Sequence, residues 1–219
     1  MLPTASASDQ AFSMRTSVFL ALSGGLMDAY SFLCRGKVFA NAQTGNILLC
    51  SVHLVSGDFS KAFTYLLPIA AFSLGIALAS LIHRRFPGGV WVRPTLLLEA
   101  LGLACTAFIS YDAIANATIS FVCGIQLEAF QRTAGCAAAT TMCVGNSRLA
   151  VHFLMEYLYT RQRENLRKAG VYLCIIGAFI LGAVLGDRLI SAFAQKAILG
   201  SSAALLLCAW RWEPDRREC

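Results

Sequence analysis

Gly24-Gly25-Leu26-Met27-Asp28-Ala29-Tyr30 sits inside an apolar run, and one hundred positions later the chain reads Gly124-Ile125-Gln126-Leu127-Glu128-Ala129-Phe130. A glycine, an acid, an alanine and an aromatic residue recur at the same spacing. The offset of 100 also carries Gly45-Asn46 onto Gly145-Asn146. Further along, an offset of 107 carries Ala71-Phe72-Ser73-Leu74-Gly75-Ile76-Ala77-Leu78-Ala79 onto Ala178-Phe179-Ile180-Leu181-Gly182-Ala183-Val184-Leu185-Gly186. The small residues Ala71, Gly75 and Ala79 fall on Ala178, Gly182 and Gly186, so one small face is repeated every four residues. These echoes predict a duplicated unit, about 16–110 and 116–210, inside a single membrane domain of residues 1–219.

The membrane assignment rests on composition. Of 219 residues, 57% are hydrophobic and only 14% are charged, against roughly a quarter charged in soluble chains. Mean hydropathy is +0.63. Runs near 16–34, 62–82, 92–111, 113–131, 169–186 and 193–210 approach the roughly 20 residues a bilayer core requires. Two more runs, 38–57 and 137–157, are long enough but are interrupted by polar motifs. The expected fold class is an all-α integral membrane protein with about six transmembrane helices plus two re-entrant or broken polar helices. The polar start of the chain has no basic n-region, so 16–34 is expected to be an uncleaved first span.

Lysine and arginine arbitrate the number of crossings. If all eight runs crossed, nine cations would face one side and eight the other, which gives no orientation. If 38–57 and 137–157 instead enter and leave on one side, the split becomes twelve to five. The larger group includes Arg15, Arg84, Arg85, Arg93, Arg163 and Arg167, and the smaller is Arg35, Lys37, Lys61, Arg188 and Lys196. An excess of cations marks cytoplasmic loops, which would put both termini inside. Each unit then has three crossings, so the two units would be inverted. Eight crossings with parallel units is the alternative.

Several polar residues stand where hydrocarbon contact is otherwise expected. Gln43-Thr44-Gly45-Asn46 and its counterpart Thr141 through Gly145-Asn146-Ser147-Arg148 offer amide and hydroxyl partners. Non-helical backbone at that depth must be buried in protein or line a wet cavity. One reading is two half-helices meeting at a binding site; the other is helix-to-helix glue worth about 1 kcal/mol per bond. Asp28 and Glu128 are acids within apolar runs, and such residues are functional candidates. Glu128 has Arg132 four positions on, a favourable helical pair, and Asp28 has no such neighbour. Gln126 lies on the same run as Glu128. Arg148 has no cation opposite it in the first half, where Leu48 stands; it fits either an anionic solute or an interfacial position. His53 and His152 read more readily as packing or interfacial residues than as a proton relay. Pro68 is expected to bend its segment.

The stretch Gly24-Gly25-x-x-Asp28-Ala29-x-x-Phe32-Leu33 with Val38-Phe39-Ala40-Asn41-x-Gln43-Thr44-Gly45-Asn46 resembles the YoaK family of uncharacterised membrane proteins. Gly124-x-Gln126 through Thr140-Thr141 to Gly145-Asn146 is similar to that family's C-terminal pattern. The family more often has Thr-Gly-Thr where this chain has Val144-Gly145-Asn146. The resemblance covers roughly 15–210. It implies about six spans and a cell-membrane location, and it implies no activity.

The expected function is therefore a small secondary transporter or channel with a polar site between two units. Asp28, Gln43, Thr44, Gly45, Asn46, Gln126, Glu128, Arg132, Thr141, Gly145, Asn146 and Arg148 are the candidate solute-contacting residues. A non-transporting scaffold is the alternative. A membrane-embedded enzyme is disfavoured: no paired histidines, no nucleophile set and no cofactor loop are visible, so no catalytic residue, metal or cofactor is assigned. The nine cysteines lack zinc spacing and read as packing residues. The partners expected are the lipid bilayer and a small solute, with proton coupling and homo-oligomer formation left open. The net charge of +6 is scattered over loops, which argues against nucleic acid.

Overall fold

The computed structural model describes residues 12–86 and 91–211. Trp212, Arg216, Arg217, Cys219 and the polar stretch ahead of Phe12 lie outside the described residues. Eight α-helices occur among the described residues: α1 (Met14–Cys34), α2 (Gln43–Val55), α3 (Phe59–Arg85), α4 (Val92–Thr106), α5 (Asp112–Ala129), α6 (Cys143–Thr160), α7 (Arg163–Phe193) and α8 (Leu199–Trp210). A short antiparallel pair, Arg132–Thr133 with Cys136–Ala137, follows α5.

Local chemistry sets the helix ends. Ser13 caps α1, its hydroxyl accepting from the Thr16 amide at 3.2 Å, and Asp58 caps α3 through the Lys61 amide at 3.1 Å. Gly57, at φ +76, makes the turn that separates α2 from α3. Pro68 sits inside α3, which continues as one helix across it.

Two helix pairs dominate the packing, and each joins the first half of the chain to the second. Helix α1 lies along α7, and α3 along α5. A Cβ on Gly25 would collide with the Phe179 carbonyl oxygen, and one on Gly182 with that of Leu22. In the other pair, a Cβ on Gly124 would collide with the carbonyl oxygen of Phe72, and one on Gly75 with that of Phe121. Backbones come this close only where a side chain is missing. The two sets of contacts correspond: Leu22 and Gly25 precede Phe121 and Gly124 by 99 residues, and Phe72 and Gly75 precede Phe179 and Gly182 by 107. Outside these pairs, α2 packs on α3 and α6 on α7, while α4 and α8 pack on each other and on α5 and α1.

Contacts also fix which ends lie together. At one end Arg35 reaches Thr106 and Asp112, and Tyr30 reaches Gln195. At the other, Phe12 meets Trp91 edge to face and Phe130 at a tilt, and Arg167 reaches the Ala134 carbonyl at 3.4 Å. Helices α1 and α7 run from the second of these ends to the first, and α3 and α5 run back.

Met14–Cys34, Phe59–Arg85 and the Arg163–Trp210 stretch are long and apolar enough to cross a bilayer. The third is folded back on itself: Leu189 of α7 touches Gly200 of α8, across a 3-10 turn at Ala194–Ile198. Helices α4, with 15 residues, and α8, with 12, are shorter than the apolar runs containing them. At 1.5 Å per residue α8 covers about 18 Å. The rest of the 92–111 run leaves the helix at Ala107 and Phe108, whose amides bond three residues back. Leu96, Leu103 and Leu205 are fully buried, so these short helices face protein on one side.

Candidate functional site

Two extended segments fold back into the bundle. The first, 35–42, descends from the end of α1 along α1 itself. Asn41 donates from its side chain to the Gly24 carbonyl at 3.2 Å, and its backbone amide donates to Asp28 Oδ1 at 2.7 Å. Helix α2 then starts from that depth. Asp28, from a different helix, therefore places its carboxylate beside the first turn of α2, where amides without intrahelical partners favour an anion. The second segment, 130–142, does the same from the opposite end of the bundle. The Thr141 methyl lies 2.9 Å from where a Gly24 Cβ would stand, and Gln126 donates to Thr140 Oγ1 at 3.4 Å and to the Leu20 carbonyl at 3.2 Å. Both segments converge on Gly24. Cys123 of α5 meets the sulfur of Met27, the neighbour of Asp28, at 3.7 Å.

Asn46 and Asn146 are the tethers of these segments. Asn46 accepts from the Phe39 amide at 3.0 Å and donates to the Phe39 carbonyl at 2.7 Å and to Gln43 Oε1 at 2.9 Å. Asn146 donates to the Ala139 carbonyl at 2.6 Å. In both cases the partner is seven residues upstream, so one device closes both returns. Both asparagines are buried. Gly45 lets the Phe39 ring lie against the helix, whereas Gly145 faces open space.

The remaining candidates separate. Asp28, Gln126 and Thr141 meet at the convergence, and Gln43 stays near it through Asn46. Thr44 and Arg148 are exposed. Glu128 accepts from Ser80 of α3 at 2.8 Å and from Gln131 at 2.9 Å, and Arg132 begins the short strand after α5. The sequence echo aligns Asp28 with Glu128 at an offset of 100, but the glycine contacts fix the helices at 99. One residue is about 100° of helical rotation, so the two acids face different neighbours. His53 stacks on Tyr65 at 5.8 Å, and His152 is exposed beside Phe153.

Two buried charged residues carry no sequence motif. Arg35 is fully buried and donates to Tyr30 at 2.8 Å, Asp112 at 3.0 Å and the Thr106 carbonyl at 2.9 Å, while Asn116 donates to the Arg35 carbonyl at 2.6 Å. Glu99 of α4 is also fully buried. The signal for Glu99 was present, an acid inside the 92–111 run, but it lies outside every echoed motif.

The family model for proteins of unknown function DUF1275 matches residues 16–210. The chain belongs to that family. It is also similar to the UPF0700 transmembrane protein YoaK of Bacillus subtilis (strain 168), with 26% identity over 180 residues, 74% of this chain and 79% of that protein. No solved structure matches. The matched region holds all eight helices apart from the first two residues of α1, so this family member is a membrane protein whose convergent segments lie within the family's own boundaries.

Proposed function

We propose that this chain is a small secondary transporter or channel of the cell membrane, not an enzyme, with its site where the two returning segments meet beside Asp28. The carrying observation is the convergence of both segments on Gly24, with the half-buried Asp28 carboxylate between the starts of α2 and α6. Broken helices whose N-termini face one another at mid-depth form the solute and ion sites of many transporters, built between inverted repeats. The reading takes six crossings and two re-entrant helices. In it, the first unit (α1 to α4) and the second (α5 to α8) are related by inversion. The duplicated glycine contacts support the two units, and the opposite directions from which the two segments return support the inversion. The end of the bundle holding Arg15, Arg85, Arg93 and Arg167 is taken as cytoplasmic, with both termini there. The solute is a small polar molecule reaching Asp28, Gln126 and Thr141.

A scaffold reading has one observation in its favour: the buried amide groups of Asn46 are all bonded within the loop they close. The two readings separate in a solute screen by thermal stabilisation, because a ligand that binds the folded state raises its melting temperature. A stabilising solute that moves in proteoliposomes, and fails to move with Asp28→Asn, supports transport. Asparagine still accepts from the Asn41 amide, so the fold is expected to survive that change. A broad screen without a ligand, with Asp28→Asn only reducing folded yield, supports the scaffold.

A further inference from the structure

Glu99 stands at the centre of the α4, α5 and α8 packing with both carboxylate oxygens buried and without a hydrogen-bond partner. Its own turn of α4 offers Leu96, Ala100 and Leu103. The titratable groups that face it from the other helices are thiols, Cys123 of α5 and Cys208 of α8, and no described cation acts on it. Cys123 also meets the sulfur of Met27, the neighbour of Asp28 in α1, at 3.7 Å. A buried thiol thus lies near both acids, one of which is at the proposed transport site.

For stability alone this arrangement is a poor choice, since an apolar side chain of similar volume packs the same layer without desolvating a carboxyl. Unpartnered acids inside a membrane bundle characteristically mark ion and proton routes. The occupant that fits is a proton. A hard metal ion takes six or more oxygens, yet no hydroxyl lies within bonding reach of Glu99, and no group of three His, Cys, Asp or Glu side chains assembles among the described residues. A proton needs only the carboxyl itself.

We infer that Glu99 is a reversible proton-binding site. The uptake is a simple association in which a carboxylate oxygen of Glu99 forms an O–H bond and its negative charge is neutralised. Proton binding stands independently of the solute; its use for coupling rests on the transport reading above.

Infrared difference spectroscopy on the full-length protein in lipid nanodiscs tests it across a pH series. The expected result is a protonated-carboxyl stretch that changes with pH, moves in heavy water, and is lost in Glu99→Gln. Selective carbon-13 labelling of glutamate carboxyls assigns the band to a glutamate in the wild type, so a poorly folding variant does not spoil the test; Glu99→Asp, which keeps the carboxyl, should restore a shifted band. A carboxyl signal that does not vary with pH, or one unaltered by Glu99→Gln, overturns the inference. A pH-dependent Glu99 band in a protein that moves no solute keeps the proton site and removes the transport reading. Solute movement without any Glu99 band does the reverse.

Discussion

Arg35 shows how far a residue's role can lie from its appearance in the sequence. Between a helix end and Gly36 it reads as one of five loop cations, because its partners Thr106 and Asp112 are more than seventy positions away. Folding turns it into a pin that joins α1 to the α4–α5 turn. Arg35→Ala is expected to cost about 3 kcal/mol or more, through several charge-assisted bonds lost at a buried site. Asp112 is half exposed, so Asp112→Asn should cost less than about 1 kcal/mol. Melting temperatures of the purified variants in one detergent check the order, and equal effects would contradict the pin. Asp28 was legible as an acid without a helical neighbour, but its true partners, the backbone of residues 40–42, belong to a fold-back that spacing does not reveal. The second comparison is Asp28→Asn against Glu128→Gln. Asp28→Asn is expected to abolish solute-dependent proton movement while leaving folded protein. Glu128→Gln should mainly lower the melting temperature, through its bonds to Ser80 and Gln131. Transport loss in the Glu128 variant alone would reverse the assignment. Glu99 has no echo in the other half of the chain, so the sequence does not set it apart from the rest of its apolar run.

At the scale of helices and turns, the small-residue faces were the most legible feature. A stripe every four residues means close helix contact whatever the partner, and the partner turned out to be the opposite half of the chain. The polar motifs were legible as interruptions of the apolar runs, but not as tethers. Only the folded chain shows that Asn46 and Asn146 each grip the backbone seven residues upstream. Asn46 makes two such bonds and a third to Gln43 Oε1, and Asn146 makes one. Each buried group left unpaired costs about 1–3 kcal/mol, so Asn46→Ala should lower the melting temperature more than Asn146→Ala. The reverse order would mean that the α2 return is held by other contacts. Asp58 offers a pH test at the start of α3. The Lys61 amide, and then the Lys61 side chain, hold its carboxyl below the usual carboxylate range. A depressed folded-state value contributes stability above the unfolded-state value, and the contribution disappears as pH falls through the folded value. Asp58→Asn keeps a competent cap without the charge. Its melting temperature should therefore fall less than the wild type's on acidification through the carboxylate range; parallel curves would show that the cap charge contributes nothing.

For the whole molecule, the cation count and the fold are separate observations. The count of twelve against five used only which runs turn back. In the structure hydrogen bonds tie 35–42 to Gly24 and Asp28, and tie 130–142 to Gln126 through Thr140. What the sequence could not supply is the pairing of α1 with α7 and α3 with α5. A small-residue stripe marks a face for close contact, but which helix meets it depends on the shape of the partner's surface, which has no linear signature. The arrangement carries a topological consequence. If α2 returns to the side it entered from, Arg35 and Lys61 share one side of the membrane, and Arg163 lies on the other. Single reporter cysteines near each position, on a cysteine-free background, test this with a membrane-impermeant thiol reagent. Reporters near Arg35 and Lys61 should label in intact cells, and one near Arg163 only after permeabilisation. Since α1 runs parallel to α7, and α3 parallel to α5, a crossing by α2 alone would turn α7 over against α1 and break that pair, while α3 and α5 would turn over together and keep theirs. Opposite accessibility at Arg35 and Lys61 would therefore remove the re-entrant helix and, with it, the inverted relation between the two units.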